Sequence, residues 1–177
     1  MTKPVYKNPT PGQPLISTIS SGCKTPLLEV KFSNLIKPFR YPNSPTIPRY
    51  SVTCIIDPKI HIDFLHGIQS IENHEKVDSI IKNETVKEDG SQVLTGNLLI
   101  KFQTKDIVPI FLGNNSLEED TYTPLEMEDE FKKGEKIIIV YDILRYTKKN
   151  TMNVEHGLSF KHTAIYFFPE EGENGKN

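Results

Sequence analysis

Two apolar runs near the C-terminus constrain the fold of this chain more than any other feature. Lys133-Gly134-Glu135 introduces Ile137 to Leu144, read IIIVYDIL, and Gly157 introduces LSFKHTAIYFF, which ends at Phe168. Both are rich in β-branched and aromatic residues and are bounded by turn-forming ones, the signature of buried strands. They are expected to lie side by side as antiparallel neighbours, with Arg145 to Glu155 as a polar, basic connection between them.

The upstream sequence adds strands more than helices. Leu28, Val30 and Phe32 alternate with Glu29, Lys31 and Ser33, the two-residue period of a half-buried strand. Pro38, Pro42, Pro45 and Pro48 follow; none can donate to a ladder, so Lys37 to Pro48 reads as an exposed loop. Tyr50 to Ile56 is a second strand, stopped by Asp57-Pro58. Between Lys59 and Asn83 the residues Ile60, Phe64, Leu65, Ile68 and Ile71 recur at helical steps and predict one amphipathic helix, with a short helical turn after it at Val77 to Ile81. The polar run Glu84 to Ser91 contains the turn signal Asp89-Gly90. Leu94 to Thr104 resumes a strand, and Ile107 to Leu112 is a further short one. Five or six strands, one helix and no βαβ alternation point to a small barrel or sandwich.

At 177 residues the chain fits one domain with a core of its own. Residues 1–26, rich in Pro, Ser, Thr and Gly, read as an extended arm with little regular structure. Residues 27–168 form the domain, and 169–177 form a short acidic tail. No apolar run is long enough to span a bilayer and the N-terminus has no signal-peptide stretch, so an intracellular, cytoplasmic protein is expected, in the host cell if viral. Cys23 and Cys54 fit neither a disulfide framework nor a zinc site and read as ordinary thiols.

No catalytic pattern in the sequence forms a constellation. Phosphate-loop, dinucleotide, nucleophile-elbow and zinc-helix motifs are missing. His61-Ile62-Asp63 has the HxD spacing of an iron-dependent oxygenase, with His156 or His162 as distal ligand, but no arginine follows either to hold an oxoacid. Asp63 is more simply a first-turn acid of the helix. Glu118-Glu119-Asp120 and Glu128-Asp129-Glu130 lack the alternating ligands of a calcium loop and read as solvated charge. A protein without catalytic activity, metal or cofactor is expected.

The remaining signal is cations interleaved with aromatics. The net charge of −2 excludes a uniformly basic duplex binder, so the distribution of charge matters more than its total. Lys37, Phe39, Arg40 and Tyr41 precede the prolines, Arg49 and Tyr50 follow them, and Arg145, Tyr146, Lys148 and Lys149 leave the long strand. Unpaired bases stack on aromatic rings while Lys and Arg follow the phosphates, which suits a single strand. The same tyrosines could instead cap the core with their hydroxyls outward.

The arrangement of LLEVKFSNLIKPF, then PRYSVTCIIDP with its proline stop and helix, and finally KKGEKIIIVYDILRY with HGLSFKHTAIYF resembles the phage-type single-stranded DNA-binding proteins of the OB-fold. The resemblance implies a mainly β, partly open five- or six-stranded antiparallel barrel with an inserted helix. It also implies a groove that coats single-stranded DNA in replication, recombination or repair. Candidate groove residues are Lys37, Phe39, Arg40, Tyr41, Arg49, Tyr50, Lys101, Arg145, Tyr146, Lys148 and Lys149. Replication proteins contacted through the acidic tail are the further partners it suggests, although the tail ends in Lys176-Asn177 with no terminal aromatic; a homodimer, through a sheet edge or exchange of the N-terminal arm, is a separate expectation. The competing reading is a virion or scaffold β-sandwich whose N-terminal arm wraps a neighbouring subunit.

Overall fold

The computed structural model describes residues 15–39, 48–113, 123–149 and 154–169. Among them nine strands form one sheet. In chain order these are β1 (Leu15–Lys24), β2 (Leu28–Phe39) and β3 (Arg49–Ile56), then helix α1 (Ile62–Glu75), then β4 (Lys82–Glu88), β5 (Ser91–Thr104), β6 (Ile110–Leu112), β7 (Thr123–Pro124), β8 (Lys136–Lys149) and β9 (Val154–Phe168). The sheet runs β4-β5-β3-β2-β8-β9-β6-β7, with β1 added to β8.

The expected hairpin is the spine. β8 and β9 pair antiparallel from Lys136 opposite Phe168 to Lys149 opposite Val154, so β8 runs well into the segment expected to connect them. The first residues of β8 also pair with the start of β2, while residues 140–147 pair with β1. β2, β3 and β5 form an antiparallel meander. The two ends of this curved sheet then meet: β5 lies close to β9 without a ladder between them. Phe102 on β5 and Phe160 on β9 close that seam with ring centroids 5.9 Å apart. The result is an OB-type, partly open barrel, mainly β with one helix.

Its interior holds Leu28, Val30, Val52, Ile100, Phe102, Ile139, Ile143, Phe160 and Ile165, all essentially inaccessible to solvent. The Tyr141 ring meets Phe102 and Phe160 edge-on. Helix α1 buries Leu65 and Ile68, packs Phe64 and Ile71 against the core, and ends where Lys76 turns left-handed at φ 57°. The helix stops there because Glu72 claims the next segment. Its carbonyl accepts the Val77 N–H and its buried carboxylate accepts the Ile80 N–H. The helical turn expected at Val77 to Ile81 therefore does not form.

Four other expectations are corrected. The arm 1–26 was expected to lack regular structure, yet residues 15–24 form β1, whose Ser and Thr residues sit opposite Ile143 to Arg145. The polar run from Glu84 is strand β4, anchored by a buried Glu84 that bonds Lys31 at 2.7 Å and Thr95 at 2.9 Å. Its hairpin to β5 turns on Asp89 and Gly90, at φ 51° and 81°, the two-residue turn such a pair is suited to. The barrel is not purely antiparallel, because β6 runs parallel to β9. Finally, Phe32 points outward. A bulge between Val30 and Phe32 shifts the strand's phase, leaving Phe32 54% exposed and Ser33 buried.

Candidate nucleic-acid interface

The outer face of the meander is built in rows. Antiparallel partners share a face, so Phe32, Thr53 and Lys101 form one row across β2, β3 and β5; Asn34, Ser51 and Gln103 form the next, and Phe39 pairs with Arg49 beyond it. Lys101 and the Phe32 ring are exposed on either side of Thr53, and Ser51 and Thr53 are buried small residues that keep the middle of this surface low.

At the Arg49 end the face becomes a groove of about 470 Å³. Arg49, Gln103 and Lys105 form one wall; Tyr146, Ser159 and Lys161 form the other, with Ile16 of β1 at the side. Its cations are Arg49, Lys105 and Lys161, against Asp106 as the one acid lining it among the described residues. Asp106 sits 3.4 Å from Lys161. Both partners are substantially exposed, so this pair is weak and can open at little cost.

Tyr146 owes its position to a missing side chain. It lies directly opposite Gly157 on β9, and a Cβ on Gly157 would run into its ring and hydroxyl. The sequence suggests that Gly157 starts a strand; in the fold it sits within β9 and provides the bed on which the ring rests. The ring is only half-buried, so it remains available at the groove wall.

The structure gathers some of the sequence-derived candidates and separates others. Arg49 and Tyr146 share the groove, and Lys101 lies on the same outer face of β5 as Gln103. Lys37 is exposed at the end of β2, near Phe39, whose backbone pairs with Arg49. Tyr50 faces a different, apolar groove with Leu35, Ile107 and Met127. Arg145 alternates away from Tyr146, toward α1, where its Nε lies 3.2 Å from Glu75. Lys148 and Lys149 extend β8 opposite Glu155 and Val154. Arg40, Tyr41, the acids at 118–120 and the tail 170–177 lie outside the described residues.

Sequence reasoning missed Phe32, Lys105 and Lys161. The adjacent polar pair Ser33-Asn34 breaks the alternation and was the available hint that β2 slips phase. Lys105 and Lys161 carry no local signal, since only the seam between β5 and β9 brings them together.

Other polar clusters have structural roles. His61 accepts the Asp57 N–H at Nδ1 and meets the Leu27 carbonyl with Nε2 at 3.2 Å, so one ring nitrogen closes the turn between β3 and α1 and the other ties it to the residue before β2. The HxD spacing is thus part of a helix entry, and Asp63 is an exposed first-turn acid. Burial pushes the Cys54 thiol far up, away from reactivity. His162 is fully buried, with no hydrogen-bond partner for either nitrogen among the described residues. Desolvation, assisted by the neighbouring Lys161 charge, lowers its pKa to about 4. No described helix is long and apolar enough to cross a membrane.

No family model and no curated protein matches the chain. Solved structures do match. A C-terminally truncated single-stranded DNA-binding protein from bacteriophage Enc34 superposes with a TM-score of 0.61 at 14% identity, over 83% of this chain and 84% of that one. The Enc34 protein in complex with single-stranded DNA gives 0.59 at 15% identity, over 83% and 85%. A single-stranded DNA-binding protein encoded by bacteriophage T7 gives 0.51 at 14% identity, over 89% and 87%. At these identities the likeness is one of fold.

Proposed function

We propose that this chain, which shares its OB-type fold with phage proteins that bind single-stranded DNA, is itself a sequence-tolerant single-stranded DNA-binding protein without catalytic activity. The observation that carries the reading is one continuous outer surface. Cationic Arg49, Lys101, Lys105 and Lys161 accompany two accessible aromatic rings, Phe32 and Tyr146, across the meander and the groove. In barrels of this type the face of the second and third strands serves oligonucleotides, and β3 and β5 hold that place in the meander.

The division of labour follows from the side chains. Phosphates are neutralised by the cations, which sets affinity and makes it salt-dependent. Bases stack on Phe32 and Tyr146, each ring contributing roughly 1 to 3 kcal/mol with little base preference. Ser159 and Gln103 add hydrogen-bonding groups between them. Duplex DNA, whose π-faces are hidden, gains nothing from the rings. A role in phage replication, recombination or repair, contact with replication proteins through the acidic tail, and a homodimer extend this reading.

The test is fluorescence anisotropy of a labelled oligothymidine of about 30 nucleotides beside a matched duplex, at low and moderate salt. Tight, salt-sensitive binding with clear preference for the single strand, weakened by Arg49→Ala and Tyr146→Ala, is the expected result. Absence of binding at micromolar protein in low salt, with symmetric assembly of the protein alone, would transfer the chain to the virion or scaffold reading.

A further inference from the structure

The end of β2 contains an irregularity that the rest of the sheet does not explain. Asn34 pairs with Ser51 and Phe39 with Arg49, so residues 35–38 all face Tyr50 alone. Bulged residues lose their ladder partners, and each buried N–H left over must find another acceptor. Pro38 has no N–H to satisfy. The other three N–H groups converge on one side chain from the segment before β8: Glu130 Oε1 accepts from Leu35 at 2.6 Å, and Oε2 accepts from Ile36 and Lys37, each at 2.8 Å. The Ser33 hydroxyl donates to Oε1 at 2.9 Å and in turn accepts the Phe131 N–H at 3.2 Å.

The sequence placed Glu130 in a solvated acidic run. Glu128 and Asp129 are indeed exposed, but Glu130 is drawn in and fully used. Burial alone would raise its carboxyl, yet these four hydrogen bonds outweigh that and hold it below the ordinary glutamate value.

We propose that Glu130 is a positioning residue for the DNA-binding surface, holding the bulge 35–38 in the one shape that pairs Phe39 with Arg49 and so sets Arg49 at the groove. The inference rests on the DNA-binding reading above. It makes a prediction opposite to simple electrostatics. Deleting an acid near a polyanion site should strengthen binding; here it should weaken it. Glu130→Gln keeps the size but in either orientation sets an amide NH₂ against at least one backbone N–H donor, Leu35 beside the Ser33 hydroxyl or Ile36 with Lys37, and so releases the bulge.

Wild type, Glu130→Gln and the milder Ser33→Ala, all as full-length chains, would be titrated with the same oligothymidine across a salt series. Amide hydrogen exchange of Leu35, Ile36 and Lys37 would be followed without DNA. The expected result for Glu130→Gln is binding weakened by roughly tenfold, with the salt slope shallower by about 0.7, the loss of one phosphate contact on a single strand. Exchange at the three amides should accelerate, and Ser33→Ala should shift every readout in the same direction by less. A general loss of folded protein would lower apparent affinity but leave the slope unchanged, and so would overturn the proposal. So would Glu130→Gln binding as tightly as wild type or tighter; if that variant does not fold, unchanged slope and exchange in Ser33→Ala would overturn it equally. Failure of the wild type to bind would sink the DNA reading itself, while the amide exchange would still report on the clamp.

Discussion

The salt dependence of binding can be worked out from the groove before any measurement. Four cations, Arg49, Lys101, Lys105 and Lys161, lie on the proposed path. If each neutralises one phosphate, log affinity should fall with log salt at a slope of about −2.8, at roughly −0.7 per contact on a single strand. Between about 50 and 200 mM salt that is a loss of roughly 50-fold. Replacing Lys101 or Lys105 by Ala should remove about 0.7 from the slope in each case. Asp106 opposes the same field through its contact with Lys161, so Asp106→Asn should tighten binding by a few-fold, about 0.2 to 1 kcal/mol, the range of an exposed pair. Anisotropy titrations at four or five salt concentrations would give each slope directly. A wild-type slope shallower than about −1, or slopes indifferent to Lys101→Ala and Lys105→Ala, would refute the assignment of this surface.

Three further outcomes are expected. Phe32→Ala and Tyr146→Ala should each weaken oligothymidine binding by roughly 1 to 3 kcal/mol while leaving the salt slope intact, because stacking carries no charge; a changed slope would mean that the rings act through the cations. Gly157→Val should weaken binding about as much as Tyr146→Ala does and be non-additive with it in a double-mutant cycle, because the added side chain evicts the same ring. Stability should fall between pH 6.5 and about 4. His162 stays neutral in the fold while the unfolded chain takes up a proton there, so the stability present above pH 6.5 is lost as pH falls through that window, by up to roughly 3 kcal/mol. Urea melts across that range should show the decline, and His162→Leu should flatten it; an unchanged decline would refute the assignment, because the hydrogen-bonded carboxylates Glu84 and Glu130, held below the ordinary glutamate value, lose their contribution only at lower pH.

Much of this architecture was legible where local chemistry and tertiary demand agree. The IIIVYDIL run, the Asp89-Gly90 turn and the proline stop after β3 each carry their own signal and form as read, as does the apolar stripe of α1 from Phe64 to Ile71, although Ile60 lies exposed before the helix. Legibility failed where a partner distant in sequence supplies the reason. Glu84 makes a strand of a polar run only because Lys31 and Thr95 meet it. The Ser- and Thr-rich segment 15–24 becomes β1 only because β8 offers a free edge. In the groove, alternation was the missing step. Arg145 and Tyr146 are adjacent in sequence and therefore on opposite faces, so only one of them could serve a common site.

The pairing of β1 with β8 also bears on how the chain is made. The Gly22 N–H is bonded to Asp142, 120 residues later, and the whole of β1 has no other strand to pair with among the described residues. As the chain leaves the ribosome, β2, β3 and β5 can form their meander early, whereas β1 must wait until β8 has emerged. Contacts of such long range carry a high loop-closure cost and slow the search. Completion of the barrel is thus a late event, in which β1, synthesised well before its partner, waits to be fixed, and emergence of the β8–β9 hairpin becomes the step that converts a half-formed sheet into a closed one.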